Sequence, residues 1–426
     1  MNLKMLFKKT TENLAKFGNG KAFCDDYEFN EIIFNSKDVK PGDIFLPLKG
    51  GVHDGHKFIS EAFNLGAICV ISENHLPNEN YIHVEDTNIF LKNIAKKQRE
   101  LFKGFVIGIT GSNGKTTAKE KLANYLEDKI GKTKIFKSYG NYNNFYGLCF
   151  SLLKLNSDHE IGCFEIGTSQ KGEISNLSQI LKMNLSILTN IGEAHLEGLN
   201  SLEGVAKEKT DIFKYTLNNG YCFGLIPKAF LYLAEEKSFG KNKNFYHFKS
   251  SEDLLTRVLL TMNKNLSITD ESEEDINNFL NKDAIVPGRF EIKKTKSGAI
   301  IIDDSYNANP DSFRYAFKKL KNPKLLKDSI SIKNIEKYKK VCIMGKMEEL
   351  GKNSEKLHES ILKEASLLFD MVLALDFLAK LDSPNIKFIK RNELNEELNK
   401  YLSENFLVFF KGSRSVKMEE IIKTII

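Results

Sequence analysis

The residues best able to do chemistry lie in one stretch, 106–117, with the sequence VIGITGSNGKTT. Its β-branched start predicts a buried strand, the Gly-Ser-Asn-Gly segment predicts a turn, and a helical pattern runs from Ala118 to Asp128. Glycines in such a turn let backbone N–H groups face phosphates, and a helix N-terminus adds positive potential. This order of elements predicts a loop that holds the phosphates of a nucleoside triphosphate.

Two side chains of this phosphate loop have predicted roles of their own. Lys115 is expected to neutralise the β- and γ-phosphate oxygens, and the hydroxyl of Thr116 to bind Mg²⁺. The general phosphate-loop pattern has a glycine where this chain has Ile109, so the match is to a narrower variant, TGSNGKTT. A glycine turn with a solvated lysine is the structural alternative. The predicted nucleotide-binding residues of the loop are Gly111, Ser112, Asn113, Gly114, Lys115, Thr116 and Thr117.

A metal ligand is predicted at the end of a neighbouring strand. The apolar runs 161–166 and 185–190 are typical of central parallel strands, and each ends in polar residues. Ligands of open parallel sheets bind beyond the carboxyl ends of the strands, so these ends converge on the phosphate loop. Glu165 is a hard oxygen donor suited to Mg²⁺, with an ordinary surface carboxylate as the alternative.

The length of 426 residues is too great for one ordinary domain. Strand and helix patterns alternate in three blocks, which predicts an α/β protein with domains spanning 1–103, 104–287 and 288–426. The first block is small, the second contains the phosphate loop and a parallel sheet, and the third is a second parallel α/β unit. The lysine-rich segment 321–340 is predicted to be a surface connection.

Composition and charge exclude several classes of protein. Hydrophobic residues make up 41% and charged residues 28% of the chain, enough for a normal core in each domain. The net charge of +6 is mild, and no basic tract interleaved with aromatic residues indicates nucleic-acid binding. Six cysteines without CxxC spacing are typical of a reducing cytosol rather than of a zinc site or a disulfide framework.

The N-terminal residues 1–17 predict an amphipathic helix. They have no long apolar core and no small-residue cleavage site, so they do not match a signal peptide. The sequence contains no apolar run long enough to span a bilayer. We therefore expect a cytoplasmic protein that does not insert into a membrane, and a monomer.

Several motifs, taken in order, resemble the Mur ligase family, the ATP-dependent amide-forming enzymes of peptidoglycan precursor synthesis. Each motif alone is weak, but their order is specific and they span nearly the whole chain. The segment 303–310, DDSYNANP, differs most between branches of the family and therefore also selects the branch. The matching segments are 35–45, 53–56, 110–117, 140–144, 165–167, 172–174, 189–197, 287–289, 303–310, 344–351 and 411–414.

The branch resembled is the one that joins D-alanyl-D-alanine to UDP-N-acetylmuramoyl-tripeptide. The resemblance implies a UDP-binding N-terminal domain, a central ATPase domain and a Rossmann-like C-terminal domain. It also implies that the γ-phosphoryl group of ATP activates the tripeptide carboxylate as an acyl phosphate, which the dipeptide amine then attacks. The alternatives are a sister ligase that adds one amino acid, a folylpolyglutamate-type ligase, and a nucleotide-binding regulator without ligase activity.

The resemblance also assigns residues at the reaction centre. His195, in NIGEAHLE, matches a metal-ligand histidine, although a lone histidine is more often structural. Lys209 matches a lysine that becomes N-carboxylated in the family and holds a second Mg²⁺, with Lys207 as its rival. The expected catalytic residues are Lys115, His195 and Lys209, and the expected ligands of two Mg²⁺ ions are Thr116, Glu165, His195 and Lys209.

The remaining assignments concern the nucleotide and the substrates. Asn307 has an amide that can both donate to and accept from a purine edge, although an interdomain turn would explain the same residues. Arg414 is expected to pair with a phosphate or with the carboxylate of the dipeptide, with a structural salt bridge as the alternative. The residues implied for adenine and ribose are Arg289, Asp304, Tyr306 and Asn307, and those implied for the UDP-sugar substrate are Ser36, the segment 42–48, Asn141, Asn143 and Asn144.

Overall fold

The strands of the chain form three sheets, one of five strands and two of six, with helices packed against each. The α/β fold class predicted from the sequence is confirmed, whereas the exact domain boundaries stay a prediction. The computed structural model describes residues 5–50, 54–140, 142–239, 243–282, 286–322, 337–377 and 379–426. Asn141 and most of the predicted connection 321–340 therefore lie outside the described residues.

The first sheet has the order β1-β5-β4-β3-β2, in which only the edge strand β1 is antiparallel to its neighbour. The N–H of Ile89 donates to the side chain of Asp86, which begins the last helix of this unit. The elements are α1 (Thr11–Gly18), β1 (Lys21–Phe23), β2 (Ile32–Ile33), β3 (Ile44–Phe45), α2 (Ile59–Asn64), β4 (Cys69–Ser72), β5 (Tyr81–His83) and α3 (Thr87–Leu101).

The helix predicted over residues 1–17 is wrong in its start. The helix begins at Thr11, because Thr10 has an extended backbone and its side chain accepts a hydrogen bond from the N–H of Asn13. The described residues before Thr10 are not helical. Phe7 is buried there and packs edge-on against Phe17, so the apolar side chains near the terminus pack without forming a helix.

The second sheet is parallel throughout, with the order β11-β10-β9-β6-β8-β7. β6, the strand that precedes the phosphate loop, lies inside this sheet. Later strands are added on both sides of it, and ligands of parallel sheets bind in the crevice that forms at such a position. The elements are β6 (Phe105–Thr110), α4 (Lys115–Ile130), β7 (Ile135–Lys137), α5 (Phe145–Leu153), β8 (Ile161–Glu165), α6 (Glu173–Leu181), β9 (Leu185–Leu188), α7 (Leu196–Leu199), α8 (Leu202–Thr210), β10 (Tyr221–Gly224), α9 (Leu231–Ser238), β11 (Asn244–His247), α10 (Ser251–Leu266) and α11 (Glu273–Leu280).

The third sheet has the order β12-β13-β17-β14-β15-β16, and only β12 is antiparallel. Its first long helix begins with Pro310 after Asn309, whose side chain accepts from the N–H of Ser312 in a capping box. The elements are β12 (Glu291–Lys294), β13 (Ile300–Asp303), α12 (Pro310–Lys321), β14 (Lys339–Gly345), α13 (Ser354–Ser366), β15 (Met371–Leu375), β16 (Ile386–Ile389), α14 (Leu394–Leu398), β17 (Phe406–Lys411) and α15 (Met418–Ile425).

The first two sheets share a hydrophobic core. Phe90 and Ile94 of α3 belong to the same buried cluster as Leu148 and Leu152 of α5 and Leu181 of α6. The third sheet has separate clusters on its two faces. In the described ranges, no helix is both long enough and apolar enough to cross a membrane.

Arg99 also joins the first two units, through hydrogen bonds across the boundary between α3 and α6, which we call the seam. Its buried guanidinium donates to the carbonyls of Leu181 at 2.6 Å, Lys182 at 2.8 Å and Phe102 at 3.1 Å. Burial lowers the pKa of Arg99 to about 10, so the group remains charged at neutral pH. A cation at the C-terminal end of α6 also interacts favourably with the helix dipole.

Replacing Arg99 tests this seam. Arg99→Ala should lower the free energy of unfolding by about 2–4 kcal/mol, because three largely buried carbonyls lose their donor. Urea unfolding followed by circular dichroism measures the change. The exposed neighbour Glu100 provides the control, since Glu100→Ala should change stability by less than about 0.5 kcal/mol. Equal effects of the two substitutions would show that the seam does not depend on Arg99.

Candidate active site

A cavity of about 1330 Å³ lies between the second and third sheets. Its walls come from the ends of β6, β8 and β9 on one side and, on the other, from the segment that leads into β12 and the segments after β13, β14 and β17. The two α/β units therefore share one site. The predicted residues that line it are Ser112, Asn113, Gly114, Lys115, Thr117, Asn143, Asn144, Glu165, His195, Arg289, Asp304, Tyr306, Asn307 and Arg414.

The phosphate loop is held in shape by close backbone contacts. Gly111 must be a glycine, because a Cβ there would lie 1.9 Å from Oγ1 of Thr189. Gly114 begins α4 with a left-handed backbone, φ +78°, which glycine adopts without strain. Thr189 donates to the carbonyl of Asn113 at 2.6 Å, and Ser112 donates to the carbonyl of Gly192 at 3.0 Å. The loop after β9 thus fixes the loop after β6.

Lys115 lies at the start of α4, half-buried and facing the cavity. Its Nζ donates to the carbonyl of Gly111 at 2.8 Å. Burial lowers the pKa of Lys115, Glu165 acts to raise it, and Arg289 lowers it further. A cation held in this way is placed to meet anionic oxygens in the cavity.

The side chains of Thr116 and Glu165 are in contact beneath the cavity. β6 and β8 pair in a register that places Ile109 opposite Glu165, so the strand end lies beside the phosphate loop. Thr116 donates to Oε2 of Glu165 at 2.7 Å, and Asn143 donates to Oε1 at 2.8 Å. The sequence prediction that these residues converge is borne out by these distances, while their functional roles stay a prediction.

The donor set fits a magnesium ion that is shared with phosphates. Among the described residues, no group of three or more imidazole, thiol and carboxylate side chains could hold a metal by itself. Mg²⁺ in nucleotide sites commonly takes only one or two carboxylates from the protein and completes its shell with phosphates and water. The paired oxygens of Thr116 and Glu165 match that requirement.

His195 connects the central unit to the C-terminal unit. Its Nδ1 contacts Oε2 of Glu349, in the segment that follows β14. Both residues have left-handed backbones, with φ of 56° and 61°, a conformation that is concentrated at functional sites. Burial lowers the pKa of His195, whereas the hydrogen bond with Glu349 acts to raise it. A carboxylate on Nδ1 leaves Nε2 as the nitrogen suited to a metal.

Lys209 is fully buried in α8, and its Nζ has no hydrogen-bond partner among the described residues. Burial lowers the pKa of Lys209 well below its usual value, the charge of Lys115 lowers it further, and Glu208 and Glu349 oppose these effects. Burial therefore favours the neutral amine over the ammonium form. By contrast, Lys207 is exposed and forms an ion pair with Glu203 at 2.6 Å.

The third unit contributes two arginine guanidinium groups that lie near one tyrosine ring. The guanidinium of Arg289 lies 4.1 Å from the ring centre of Tyr306, and that of Arg414 lies 5.8 Å from it. Arg289 also donates to Oγ1 of Thr116 at 2.9 Å. The Nε of Arg289 and the hydroxyl of Tyr306 are buried without a partner among the described residues, which fits a polar ligand in the cavity.

Asp304 and Asn307 are also at the cavity, but both already have partners. Lys411 donates to Oδ2 of Asp304 at 2.6 Å, and the N–H of Phe290 donates to Oδ1 at 3.0 Å. The side chain of Asn307 accepts from the N–H of Ala308 at 2.9 Å. These contacts shape the turn, so the structural alternative considered for DDSYNANP accounts for part of what these residues do.

One predicted substrate residue, Ser36, lies away from the cavity. Ser36 is buried in the first unit at the start of the short helix Ser36–Asp38, where it donates to Glu61 at 2.5 Å. Asn141 lies outside the described residues. Asn144 is exposed at the cavity, and its side chain begins α5 by accepting from the N–H of Gly147.

Two residues that join the second and third units, Glu349 and Asn309, were not predicted from the sequence. Glu349 holds His195, and Asn309 pairs with Asn113 through reciprocal amide hydrogen bonds of 3.2 and 2.9 Å. Both lie in segments that carried the family resemblance, MGKMEELG and DDSYNANP. The available signal for both was that a polar residue stood in one of these motifs without a ligand assigned to it.

Three family models match the chain in consecutive order. The Mur ligase family catalytic domain matches residues 28–104, the Mur ligase middle domain 109–282, and the Mur ligase glutamate ligase domain 288–425. A UDP-N-acetylmuramoyl-tripeptide–D-alanyl-D-alanine ligase of Rickettsia prowazekii is 31% identical, over 98% of this chain and 99% of that protein. The chain belongs to the Mur ligase family.

Other members of the Mur ligase family are similar over the same extent. A protein of Bacillus subtilis with the same description as the Rickettsia relative is 29% identical over 99% of both chains. A crystal structure of MurF ligase from Thermotoga maritima in complex with ADP aligns with a TM-score of 0.75 and 28% identity, covering 93% of this chain and 96% of that one. A MurF structure from Acinetobacter baumannii, at 24% identity, aligns with a TM-score of 0.81 and supports the fold.

The contact of His195 with Glu349 gives a measurable pKa change. Because Glu349 acts to raise the pKa of His195, the neutral amide in Glu349→Gln should shift the histidine titration to lower pH. Proton NMR of the imidazole resonances across pH, assigned with His195→Ala, measures the shift. Glu348→Gln is the matched control, since Glu348 contacts Lys346 and Ser415 instead. An unchanged or higher His195 pKa in Glu349→Gln would contradict the contact.

Proposed function

We propose that this chain is an ATP-dependent ligase that joins D-alanyl-D-alanine to UDP-N-acetylmuramoyl-tripeptide, through an acyl phosphate. The substrates are those in the descriptions of relatives that match the whole chain. The observation that carries the reaction class is the shared cavity, in which the phosphate loop of the second unit faces Arg289, Lys411 and Arg414 of the third.

This arrangement suits a reaction between two anions. A carboxylate and a triphosphate repel each other, so a site that brings them together needs cations on both sides. Lys115 supplies a cation at the start of α4, and Arg289 supplies another that already touches Thr116. Once the carboxylate carries a phosphoryl group, the dipeptide amine attacks its carbon, the C–N bond forms, and phosphate leaves. Positioning and charge neutralisation supply most of the catalysis in such chemistry.

Thr116, Glu165 and His195 are the residues that would hold Mg²⁺. The bound ion would neutralise phosphate charge as a Lewis acid. Asn143 holds the Glu165 carboxylate in place by hydrogen bonding to its second oxygen. Glu349 holds the ring of His195 from the opposite unit, so the ligand geometry depends on how the two units are placed.

Lys209 is proposed to be N-carboxylated. A neutral amine is the nucleophilic form that attacks CO₂, forming an N–C bond and releasing a proton, and the low pKa of Lys209 favours that form. The product is an anion in place of a buried amine that has no partner in the described part of the chain. It would lie near Lys115, whose charge favours it, and supply a further oxygen ligand for a second Mg²⁺.

The same proposal includes the other predicted substrate contacts and the domain organisation. The UDP end of the substrate would contact the first unit through Ser36 and the segment 42–48, with the asparagines at 141, 143 and 144 near the muramoyl-peptide. Arg414 is exposed, lies 5.8 Å from the ring centre of Tyr306 and pairs with Glu419 at 3.4 Å, so it would exchange this ion pair for the dipeptide carboxylate. Domains of 1–103, 104–287 and 288–426, a monomer, and a cytoplasmic location complete the proposal.

The reaction is tested with the purified protein, ATP, Mg²⁺, UDP-N-acetylmuramoyl-tripeptide and a panel of amines, with products identified by mass spectrometry. We expect the tripeptide with D-alanyl-D-alanine attached, together with ADP and phosphate. A product with a single amino acid would identify a sister ligase. Nucleotide binding without any amide product would identify a regulator.

Lys115→Ala should lower ligation at least about 100-fold, because neutralisation of developing phosphate charge is lost. Its unfolding free energy should change by less than about 1 kcal/mol, since the side chain faces the cavity. The exposed lysine beyond the same helix gives the matched control, Lys132→Ala, which should retain full activity. Near-normal turnover in Lys115→Ala would overturn the role of the phosphate loop.

Lys209→Ala should be nearly inactive and partly rescued by short carboxylates that fill the vacated space. The wild-type protein equilibrated with ¹³C-bicarbonate should give a carbamate signal in the ¹³C NMR spectrum, and Lys209→Ala should lack it. Lys207→Ala should keep both the signal and the activity, because Lys207 is an exposed lysine on the same helix. The reverse pattern would assign the modification to Lys207.

A further inference from the structure

Two cysteines of the first sheet lie side by side, far along the chain from each other. Cys24 follows the edge strand β1, and Cys69 is the first residue of β4. Their Sγ atoms are 3.9 Å apart, although 45 positions separate them in the sequence. Neither residue lines the large cavity, so the pair is separate from the proposed ligation site.

The two thiols differ in access and in acidity. Cys24 is half-buried, whereas Cys69 is fully buried. The hydrogen bond from Cys69 lowers the pKa of Cys24 to about 7, and Thr11 adds to this effect against burial and the charges of Asp25 and Asp26. The pKa of Cys69 is raised by the same contact and by burial. The pair therefore combines a half-buried thiol of lowered pKa with a fully buried thiol of raised pKa.

The other cysteines lack this combination. Cys149, Cys163, Cys222 and Cys342 are fully buried. Burial raises the pKa of Cys149 and of Cys163 to about 12. All six cysteines are free thiols in the structure, so the four buried ones provide an internal comparison for the pair.

We propose that Cys24 and Cys69 are a peroxide-reactive dithiol that closes to an intramolecular disulfide. The Cys24 thiolate attacks one oxygen of a hydroperoxide, so an S–O bond forms, the O–O bond breaks, and the second oxygen leaves as water or an alcohol after taking a proton. The Cys69 sulfur then attacks the sulfenic sulfur of Cys24. The S–S bond forms, the S–O bond breaks, and the hydroxide leaves as water with the proton of Cys69. Both thiols are oxidised and the peroxide is reduced.

Closing the disulfide requires the two sulfurs to move towards each other, at one end of the strand β5 that separates β1 from β4. A disulfide has an S–S distance of about 2.05 Å, so the two sulfurs must approach by roughly 1.9 Å from their present 3.9 Å. Cys24 lies in a bend beyond the last ladder pair of β1, where the chain leaves the sheet edge, so it can turn without breaking strand pairing. Cys69 is fixed, because β4 pairs with strands on both sides.

The test treats the full-length protein with stoichiometric hydrogen peroxide, blocks remaining thiols with an alkylating reagent, and maps tryptic peptides by mass spectrometry. We expect one new cross-linked species joining peptides 22–37 and 58–92, lighter than their sum by two hydrogen atoms and abolished by dithiothreitol. The peptides that contain the other four cysteines should remain alkylated. Oxidation spread evenly over all six cysteines, or no cross-link, would overturn the proposal.

Two variants test which of the two cysteines reacts first with peroxide. In Cys69→Ser, Cys24 should stop at the sulfenic acid and be captured by a cyclic 1,3-dione. In Cys24→Ser, Cys69 should stay reduced, because it is buried and has no activated neighbour. Because Cys24 is only half-buried, Cys24→Ser should fold, and it tests the proposal even if Cys69→Ser does not fold. Oxidation of Cys69 in Cys24→Ser at the wild-type rate would show that Cys24 is not the reactive thiol.

Discussion

A continuous chain of hydrogen bonds from Arg289 through Thr116 and Glu165 to Asn143 organises the site. Each link comes from a different part of the fold: the start of the third unit, the first turn of α4, the end of β8 and the segment before α5. The chain is possible because parallel pairing of β6 with β8 brings Glu165 beside the phosphate loop. Moving any one of these segments would break at least one of these hydrogen bonds, and the link from Arg289 to Thr116 is the one that spans the second and third units.

Several positive groups lie close together at the site. Burial lowers the pKa of Lys115 and of Lys209, and repulsion adds to this effect, from Arg289 on Lys115 and from Lys115 on Lys209. Carboxylates act in the opposite direction, since Glu165 acts to raise the pKa of Lys115 and Glu349 acts to raise that of Lys209. Anionic ligands that reach these groups would remove repulsion among them as well as add attraction.

Local signals explain what the sequence could predict. The strand, turn and helix around Gly114 are adjacent in the chain, and the placement of Glu165 follows from a general rule of parallel sheets. The pairing of His195 with Glu349 spans 154 positions, and the sequence offers Glu348 as an equal candidate, since only backbone direction distinguishes the two. Helix α1 begins at Thr11 because Thr10 acts as its cap. The hydroxyl of Ser36 faces inward because it donates to Glu61, a carboxylate 25 positions away. The partner of Ser36 cannot be identified without the tertiary packing, whereas the cap of α1 is local, since Thr10 accepts from the N–H of Asn13 three residues away.

The two seams of the molecule differ in kind. The first unit adheres to the second through a shared apolar core, whereas the third meets the second through amides, carboxylates and guanidinium groups such as Asn113 with Asn309 and Glu193 with Arg314. Salt screens charge contacts but strengthens apolar association when the salt is of the kosmotropic kind. Ammonium sulfate should therefore weaken the contacts between the second and third units and strengthen those between the first and second, and we expect the C-terminal unit to separate before the other two.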